Sequence, residues 1–157
     1  MKKNNKKKGF TLVELLVVIA ILAILASVSL VGYLGFTNKA KQSKCETEAL
    51  QVREVINGTL MDGSVLDFKL DAKNYKVSIV DNTLKVVDVT NQAEENVTKL
   101  DNLDTAISTL FTDLAGLNKE GSTEFALEEG KLTYTTDGYK CVITFDGNPL
   151  KAELVRE

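Results

Sequence analysis

Residues 6–24 read KKKGFTLVELLVVIAILAI, and this stretch decides how the rest of the chain is interpreted. It places one carboxylate, Glu14, in a run of aliphatic residues that begins just after a cluster of lysines. Residues 15–36 carry no formal charge, and a helix of that length is long enough to cross the hydrocarbon core of a bilayer. The stretch therefore predicts a membrane-spanning helix with an ionisable group at its start.

The basic residues are concentrated at the N-terminus. Five of the 19 lie within the first eight positions, which leaves 14 basic against 22 acidic side chains in the remainder of the chain. Lysines on the N-terminal side of the apolar run predict a cytoplasmic N-terminus, with the residues beyond the run on the other side of the membrane. The acidic remainder would repel phosphate groups, so the composition argues against a general electrostatic binder of nucleic acid.

Two simpler interpretations of the N-terminus stay open on the residues alone. A cleaved secretory signal peptide also has a basic start and an apolar core, and Ser27 and Ser29 form a small-x-small pair late in the run. The run is long for such a peptide, however, and Glu14 interrupts its start. An uncleaved signal anchor without further meaning is the second alternative.

The order of features at residues 9–14, GFTLVE after a short basic leader and before an unbroken apolar helix, points to a family. It strongly resembles the class III signal of type IV pilins and pilin-like proteins, and the resemblance covers about a quarter of the chain. The resemblance implies that a prepilin peptidase cleaves after Gly9 and methylates the new amino group of Phe10. It also implies that Glu14 and Thr11 take part in assembly.

The same resemblance implies a fate for the processed chain. It would stay in the membrane lipid as a single-pass protein until an assembly ATPase and an inner-membrane platform protein add it to a helical filament of identical and related pilins. The implied function is a structural subunit of a type IV pilus on the cell surface, supporting adhesion, twitching motility or biofilm. The alternative is a pseudopilin of a type II secretion or competence (DNA-uptake) system. A lysine-rich, arginine-poor head favours a pilin of a Gram-positive bacterium.

The position of Glu14 has a physical interpretation of its own. An ionised side chain in oily surroundings costs on the order of a few kcal/mol and usually has a partner. Glu14 follows Phe10 by about one helical turn, so a neighbouring subunit staggered by one turn could bring its Phe10 amine to this carboxylate. The two charges would then neutralise each other and fix the axial register, as a single polar residue does in a coiled coil. Thr11 could add a hydrogen bond; the alternative is a Glu14 solvated at the headgroup boundary.

The predicted fold class is α+β, a long N-terminal helix packed on a small antiparallel sheet as in the type IV pilin fold. We expect a cleaved leader at residues 1–9, a transmembrane and filament-core helix at 10–36, its amphipathic continuation at 37–61 and a globular head at 62–157. One face of the continuation is apolar, at Cys45, Ala49, Val52, Ile56 and Leu60. Position 31, where this family often has proline, is valine, and Gly32 and Gly35 are the expected soft points.

The head is predicted to contain hairpins and one further helix. Residues 74–89, NYKVSIVDNTLKVVDV, predict two strands joined at Asp81-Asn82. Residues 131–155 predict three strands joined at Asp137-Gly138 and Asp146-Gly147-Asn148, because Asp-Gly suits tight turns. Between them a helix is predicted, capped by Thr90 or Asn91. Its core stripe would be Val97, Leu100, Leu103, Ile107, Leu110, Leu114 and Leu117.

The two cysteines are predicted to face each other. Cys45 lies on the apolar face of the long helix, and Cys141 alternates in phase with Tyr139, Ile143 and Phe145. Outside the cytoplasm, where disulfides persist, a bond between them would close a loop of about a hundred residues and contribute about 4 to 5 kcal/mol in the loop-entropy model. Two buried free thiols are the alternative. The pairing departs from the C-terminal disulfide loop of many pilins.

The sequence offers little that could perform bond chemistry. It contains no histidine, no phosphate-binding glycine loop and no CxxC pair, so we expect no enzyme, no cofactor and no metal site. Glu128 and Glu129 are interpreted as a solvated turn rather than a catalytic pair. Calcium bound by the acidic turns is an alternative, although no spaced set of oxygen ligands is visible.

Overall fold

The computed structural model describes residues 9–60, 63–101, 103–114, 117, 123–147 and 150–155. The chain divides into two compact units, Met1–Lys39 and Ala40–Glu157. Helix α1 (Leu12–Leu60) contributes its first part to one unit and its second part to the other. The second unit also contains eight strands and a short helix among the described residues.

Helix α1 is continuous, although its sequence changes character along its length. Up to residue 36 its side chains are mostly aliphatic, and all of them are exposed. In the second unit the buried residues are those that the periodicity predicted, namely Cys45, Ala49, Val52, Ile56 and Leu60. The helix begins at Leu12, two residues later than expected, and passes through Gly32 and Gly35 without a break. The predicted last residue, Met61, lies outside the described residues, as do residues 1–8 of the predicted leader at 1–9.

The first sheet contains the predicted hairpin and two further strands. Strands β1 (Leu66–Leu70), β2 (Lys73–Val80), β3 (Thr83–Asp88) and β4 (Glu95–Val97) are antiparallel and lie in chain order. Asp81 and Asn82 have positive φ and form the β2–β3 turn, which confirms the hairpin. Strand β1 was not predicted from the sequence; it is a short strand at the edge of the sheet.

The predicted helix from Thr90 or Asn91 to Leu117 is wrong over most of its length. Val97 belongs to β4, where it pairs with Val86, and the helix in this region is only α2 (Asp104–Leu110). A 3₁₀ turn follows at Thr112–Leu114. The hydroxyl of Thr90, expected to cap the helix, instead accepts a hydrogen bond from the backbone N–H of Asn74.

The physical reason is that the backbone of this segment is already bonded to the second sheet. The N–H of Leu100 donates to the carbonyl of Leu127, and the N–H of Leu127 donates back to Leu100. The N–H of Leu103 donates to the carbonyl of Phe125 at 3.0 Å. A backbone paired in this way cannot also form the hydrogen bonds of a helix. The leucines of the stripe therefore do not belong to one long helix.

The second sheet contains the three predicted strands and one more. Strands β5 (Glu124–Glu128), β6 (Lys131–Thr136), β7 (Tyr139–Ile143) and β8 (Ala152–Leu154) are antiparallel and lie in chain order. Asp137 and Gly138 form the β6–β7 turn with positive φ at both residues, as predicted. Asp146 and Gly147 lie in the longer β7–β8 connection, whose Asn148 is outside the described residues.

The second part of α1 and the two sheets share one hydrophobic core. The outer edge of β8 is closed by side chains of α1, because Gln42 donates to the carbonyl of Ala152 and the N–H of Ala152 donates to Glu46. Unpaired groups at a sheet edge would otherwise be open to another strand. The fold is thus α+β, with a long N-terminal helix packed on antiparallel sheets, as in the type IV pilin fold predicted from the sequence.

Tyr134 joins α1 to the centre of the second sheet. Its side chain is fully buried, and its hydroxyl donates to Glu48 Oε2 over 2.6 Å. Burial, and secondarily this hydrogen bond, raise the pKa of the Tyr134 hydroxyl. A raised pKa means that the folded state holds its proton more firmly than the unfolded chain does, so stability is retained below about pH 10 and lost above it.

We therefore expect Tyr134→Phe to lower the free energy of unfolding by about 1 to 2 kcal/mol at neutral pH, because Glu48 loses its donor. The wild-type protein should lose stability more steeply than the variant above about pH 10. Denaturant unfolding of the full chain in detergent at neutral and alkaline pH measures both effects. Tyr139→Phe, the same change on β7, is the control and should cost less. Parallel pH profiles for wild type and Tyr134→Phe would contradict the prediction.

Candidate functional site

The residues predicted to act in processing and assembly lie together at the start of the first unit. Gly9, Phe10 and Thr11 precede helix α1, and Glu14 lies in its first turn. All four are exposed. The predicted cysteine pair lies in the second unit and forms a separate feature.

Thr11 and Glu14 form a reciprocal cap at the N-terminus of α1. The backbone N–H of Glu14 donates to Thr11 Oγ1 at 3.2 Å, and the backbone N–H of Thr11 donates to Glu14 Oε2 at 2.9 Å. The Thr11 hydroxyl also donates to Glu14 Oε2 at 2.7 Å. The carbonyl of Thr11 accepts the first hydrogen bond of the helix, from Leu15. This is a capping box, in which a threonine and a glutamate three residues later satisfy N–H groups that the helix leaves unpaired.

The capping box explains how a carboxylate is accommodated next to an aliphatic run. Glu14 Oε2 accepts two hydrogen bonds from Thr11, and a negative charge in the first turn of a helix interacts favourably with the helix dipole. No residue that the structure describes donates a hydrogen bond to the other oxygen, Oε1. The carboxylate is therefore held in place by its own chain while one oxygen can still accept a cation.

The serine hydroxyls of this helical segment and the hydroxyl of Thr37 are bonded to their own backbone. Ser27 donates to the carbonyl of Ile24, Ser29 to that of Leu25, and Thr37 to that of Leu34. Such bonds satisfy hydroxyl groups without water, as a bilayer or a helix bundle requires. Glu14 is the single formal charge in residues 9–38. It is therefore the one charged side chain that this segment presents to a partner.

The apolar side chains around Glu14 are open along the whole segment. The large hydrophobic residues from Phe10 to Phe36 are between 45% and 79% exposed. Among the described residues, α1 is long and apolar enough to cross a membrane by length and composition. A surface of this kind is not left in water, so it must be covered by lipid or by other helices.

The two cysteines form a contact inside the second unit. Cys45 on α1 and Cys141 on β7 are fully buried, and their Sγ atoms lie 3.2 Å apart as thiols. The hydrogen bond to Cys141 and burial raise the pKa of the Cys45 thiol, while the same hydrogen bond lowers the pKa of the Cys141 thiol. The predicted disulfide between them stays a prediction.

The acidic turn at Glu128 and Glu129 lies among basic side chains at the surface. The two residues line a cleft of about 520 Å³ together with Lys99 and Lys131, and Glu128 forms an ion pair with Lys140 at 2.9 Å. Among the described residues, no group of three or more Asp, Glu, Cys or His side chains is placed to hold a metal ion.

Comparison with known families addresses the N-terminal segment that contains the capping box. Residues 4–30 match the family model for the prokaryotic N-terminal methylation motif. The match covers about a sixth of the chain and includes Gly9, Phe10, Thr11 and Glu14. No match was found among curated proteins or among solved structures.

The methylation motif supports a pilin-like family. It implies processing by a prepilin peptidase and assembly with other pilins, and with the apolar helix it is consistent with membrane anchoring before assembly. It is a motif of structural, pilin-type proteins rather than of a known class of enzyme. The motif is shared by pilins and pseudopilins, and it carries no information on a Gram-positive source.

The capping role of Thr11 and two long-range contacts in the head were not predicted from the sequence. The role of Thr11 as a helix cap has a sequence signature, a threonine followed three residues later by glutamate before an apolar run. The contacts of Glu46 with Ala152 and of Glu48 with Tyr134 join residues 106 and 86 positions apart. No local pattern predicts such contacts.

Proposed function

We propose that this chain is the precursor of a structural subunit of a type IV pilus on the cell surface. A prepilin peptidase removes residues 1–9 and methylates the amino group of Phe10. Residues 10–36 then hold the protein in the membrane and later form the filament core. The amphipathic continuation predicted at 37–61 and the head at 62–157 remain outside the membrane.

The observation that carries the proposal is the isolated charge of Glu14 on an exposed, aliphatic helix. A carboxylate that enters a helix bundle without a cation costs on the order of several kcal/mol, because its water is lost and not replaced. Cleavage after Gly9 would create a positive amine only four residues before Glu14. The chain therefore carries both halves of an ion pair, and the second half exists only after processing.

The ion pair gives the filament a defined axial register. Apolar helices slide past one another at little cost, because each position offers similar packing. Pairing Glu14 with the Phe10 amine of a neighbouring subunit selects one stagger, as a buried polar residue selects one register in a coiled coil. Glu14 Oε2 remains hydrogen-bonded to Thr11, and Oε1 accepts a hydrogen bond from the Phe10 amine of the neighbouring subunit.

The test is to isolate the protein from its own host and to determine where it begins and where it is found. We expect N-methylphenylalanine at Phe10 as the first residue and the chain as a component of filaments sheared from the cell surface, seen by electron microscopy and mass spectrometry. A protein that begins at Met1 would overturn the proposal. A processed chain that is missing from surface filaments but required for secretion or DNA uptake would identify a pseudopilin instead.

A further inference from the structure

The contact between Cys45 and Cys141 joins two parts of the second unit that are far apart in sequence. The residues are 96 positions apart, one on α1 and one on the third strand of the second sheet. Their Sγ atoms are 3.2 Å apart, and both side chains have zero solvent exposure. The two sulfur atoms are therefore brought together by the fold of the head and not by neighbouring positions in the chain.

The elements that carry the two cysteines are held together on several sides of the contact. Lys44 Nζ lies 2.9 Å from Asp137 Oδ2 in the β6–β7 turn, and the Tyr134 hydroxyl donates to Glu48. The Cys45 thiol also lies 3.4 Å from the carbonyl of Tyr139. These contacts hold α1 against β6 and β7 around the two sulfur atoms.

We infer that Cys45 and Cys141 become joined by a disulfide bond after the head leaves the cytoplasm, and that this bond fastens α1 to the second sheet. The inference requires only that residues 40–157 reach an oxidising compartment, which the proposed function also requires. The sulfur atoms need no large movement of either backbone to bond, because they already touch.

The oxidant is a protein or small-molecule disulfide, such as the active-site disulfide of a thiol–disulfide oxidoreductase. The thiolate of one cysteine attacks a sulfur of that disulfide and forms a mixed disulfide, and the second cysteine then displaces the oxidant. The two cysteines lose two protons and two electrons, and the oxidant leaves as two thiols.

Burial determines when this exchange can occur. An oxidant cannot reach sulfur atoms with zero exposure, so the mixed disulfide forms while β7 and β8 are still open or during a transient opening of the head. Once the head is closed, the same burial excludes reductants. We therefore expect the bond to resist reduction in the native protein and to yield readily once denaturant is present.

A bond at this position would alter how the head responds to force. In the proposed function α1 connects the head to the filament core, so a force on the filament would reach the head through α1. The contacts between α1 and the last sheet include hydrogen bonds and a surface ion pair. Surface ion pairs contribute little individually. A covalent link between α1 and β7 would keep the C-terminal hairpin attached when these weaker contacts open.

The direct test is a count of free thiols in the full-length chain recovered from membranes or filaments of the host. The sample is denatured in acid, and free thiols are labelled with a maleimide before and after reduction. We expect no label before reduction and two labels after it, together with an intact mass lower by two hydrogen atoms than that of the reduced protein. Two labelled thiols in the unreduced sample would overturn the inference.

A second measurement compares the oxidised and reduced forms of the wild-type chain, so the main result needs no variant. The wild-type full chain is reduced in denaturant and refolded with the reductant present, and its melting temperature should then be lower by about 10 °C or more than that of the oxidised chain, because the closed loop is long. The double variant Cys45→Ala/Cys141→Ala is the matched control and should show no response to the reductant. An unchanged wild-type melting temperature after complete reduction would contradict the fastening role.

The same sample separates this inference from the proposed function. A chain that begins with N-methylphenylalanine but contains two free thiols would retain the proposed function and remove the disulfide. A chain that begins at Met1 and contains the disulfide would do the reverse.

Discussion

Replacing Glu14 by alanine is expected to reduce the incorporation of the protein into filaments at least about tenfold, while cleavage after Gly9 and membrane insertion continue. The variant keeps the whole aliphatic segment, so its affinity for lipid is not reduced. It loses the carboxylate that would neutralise the Phe10 amine of a neighbouring subunit. That amine would then enter the helix bundle without a partner, and an unpaired charge in such surroundings costs several kcal/mol.

The capping box makes a sharper experiment available, because the cap and the charge can be separated. Glutamine serves in a capping box as glutamate does, so Glu14→Gln keeps an oxygen for the N–H of Thr11 but carries no charge. Thr11→Ala does the opposite, since it removes the hydroxyl and leaves the carboxylate. If the charge pair controls register, Glu14→Gln should assemble as poorly as Glu14→Ala, and Thr11→Ala should assemble better than either.

Sheared filaments quantified by immunoblot against the membrane-bound pool give the measurement for these variants. Equal N-terminal processing, checked by sequencing, shows that each variant reached the assembly step. Normal filament yield from Glu14→Gln, with poor yield from Glu14→Ala and Thr11→Ala, would show that the helix cap matters and the charge does not. Normal yield from all three would remove Glu14 from the assembly mechanism.

The helix α1 could be predicted from the sequence because its signals are local and repeated. The aliphatic run marks its first part, and the spacing of Cys45, Ala49, Val52, Ile56 and Leu60 marks one buried face in its second part. The start at Leu12 required a different signal. Thr11 is spaced from Glu14 as in a capping box, and this spacing sets the first helical residue.

The segment from Thr90 to Leu117 shows where such signals fail. Its leucines recur at helical spacing, yet Leu100 and Leu103 give their backbone N–H groups to Leu127 and Phe125. These N–H groups are bonded to residues more than twenty positions away, so they are not available for the hydrogen bonds of a helix. Hydrophobic spacing reports which residues enter a core, and here it did so for Leu103, Ile107 and Leu114, which are buried. It does not report which partner satisfies the backbone between them.

The cysteine pair was accessible to sequence reasoning for a related reason. Each cysteine lies within a regular element, and the period of that element determines the face on which it lies. Two inward faces of one small domain have few places to meet, so a contact could be expected. The hydrogen bonds of Glu46 and Glu48 were not accessible, because both residues lie among charged side chains and their partners, Ala152 and Tyr134, carry no matching local signal.

The largest loss of stability is expected for Phe125→Ala, about 3 to 5 kcal/mol in the free energy of unfolding. Phe125 has zero exposure, and its ring centroid lies 5.0 Å from that of Tyr134, its partner on β6. Its backbone N–H donates to the Asp104 carboxylate, and its carbonyl accepts from Leu103. The alanine variant would therefore leave a cavity where β5, β6 and the start of α2 meet.

A loss of this size approaches the whole stability of a typical small domain, so the variant should be partly unfolded at growth temperature. Denaturant unfolding of the full chain in detergent measures the change, and Val142→Ala on β7 of the same sheet is the control. Val142 is 41% exposed, so its truncation should change the free energy of unfolding by no more than about 0.5 kcal/mol. If Phe125→Ala cost no more than this control, the centre of the core would have to lie elsewhere.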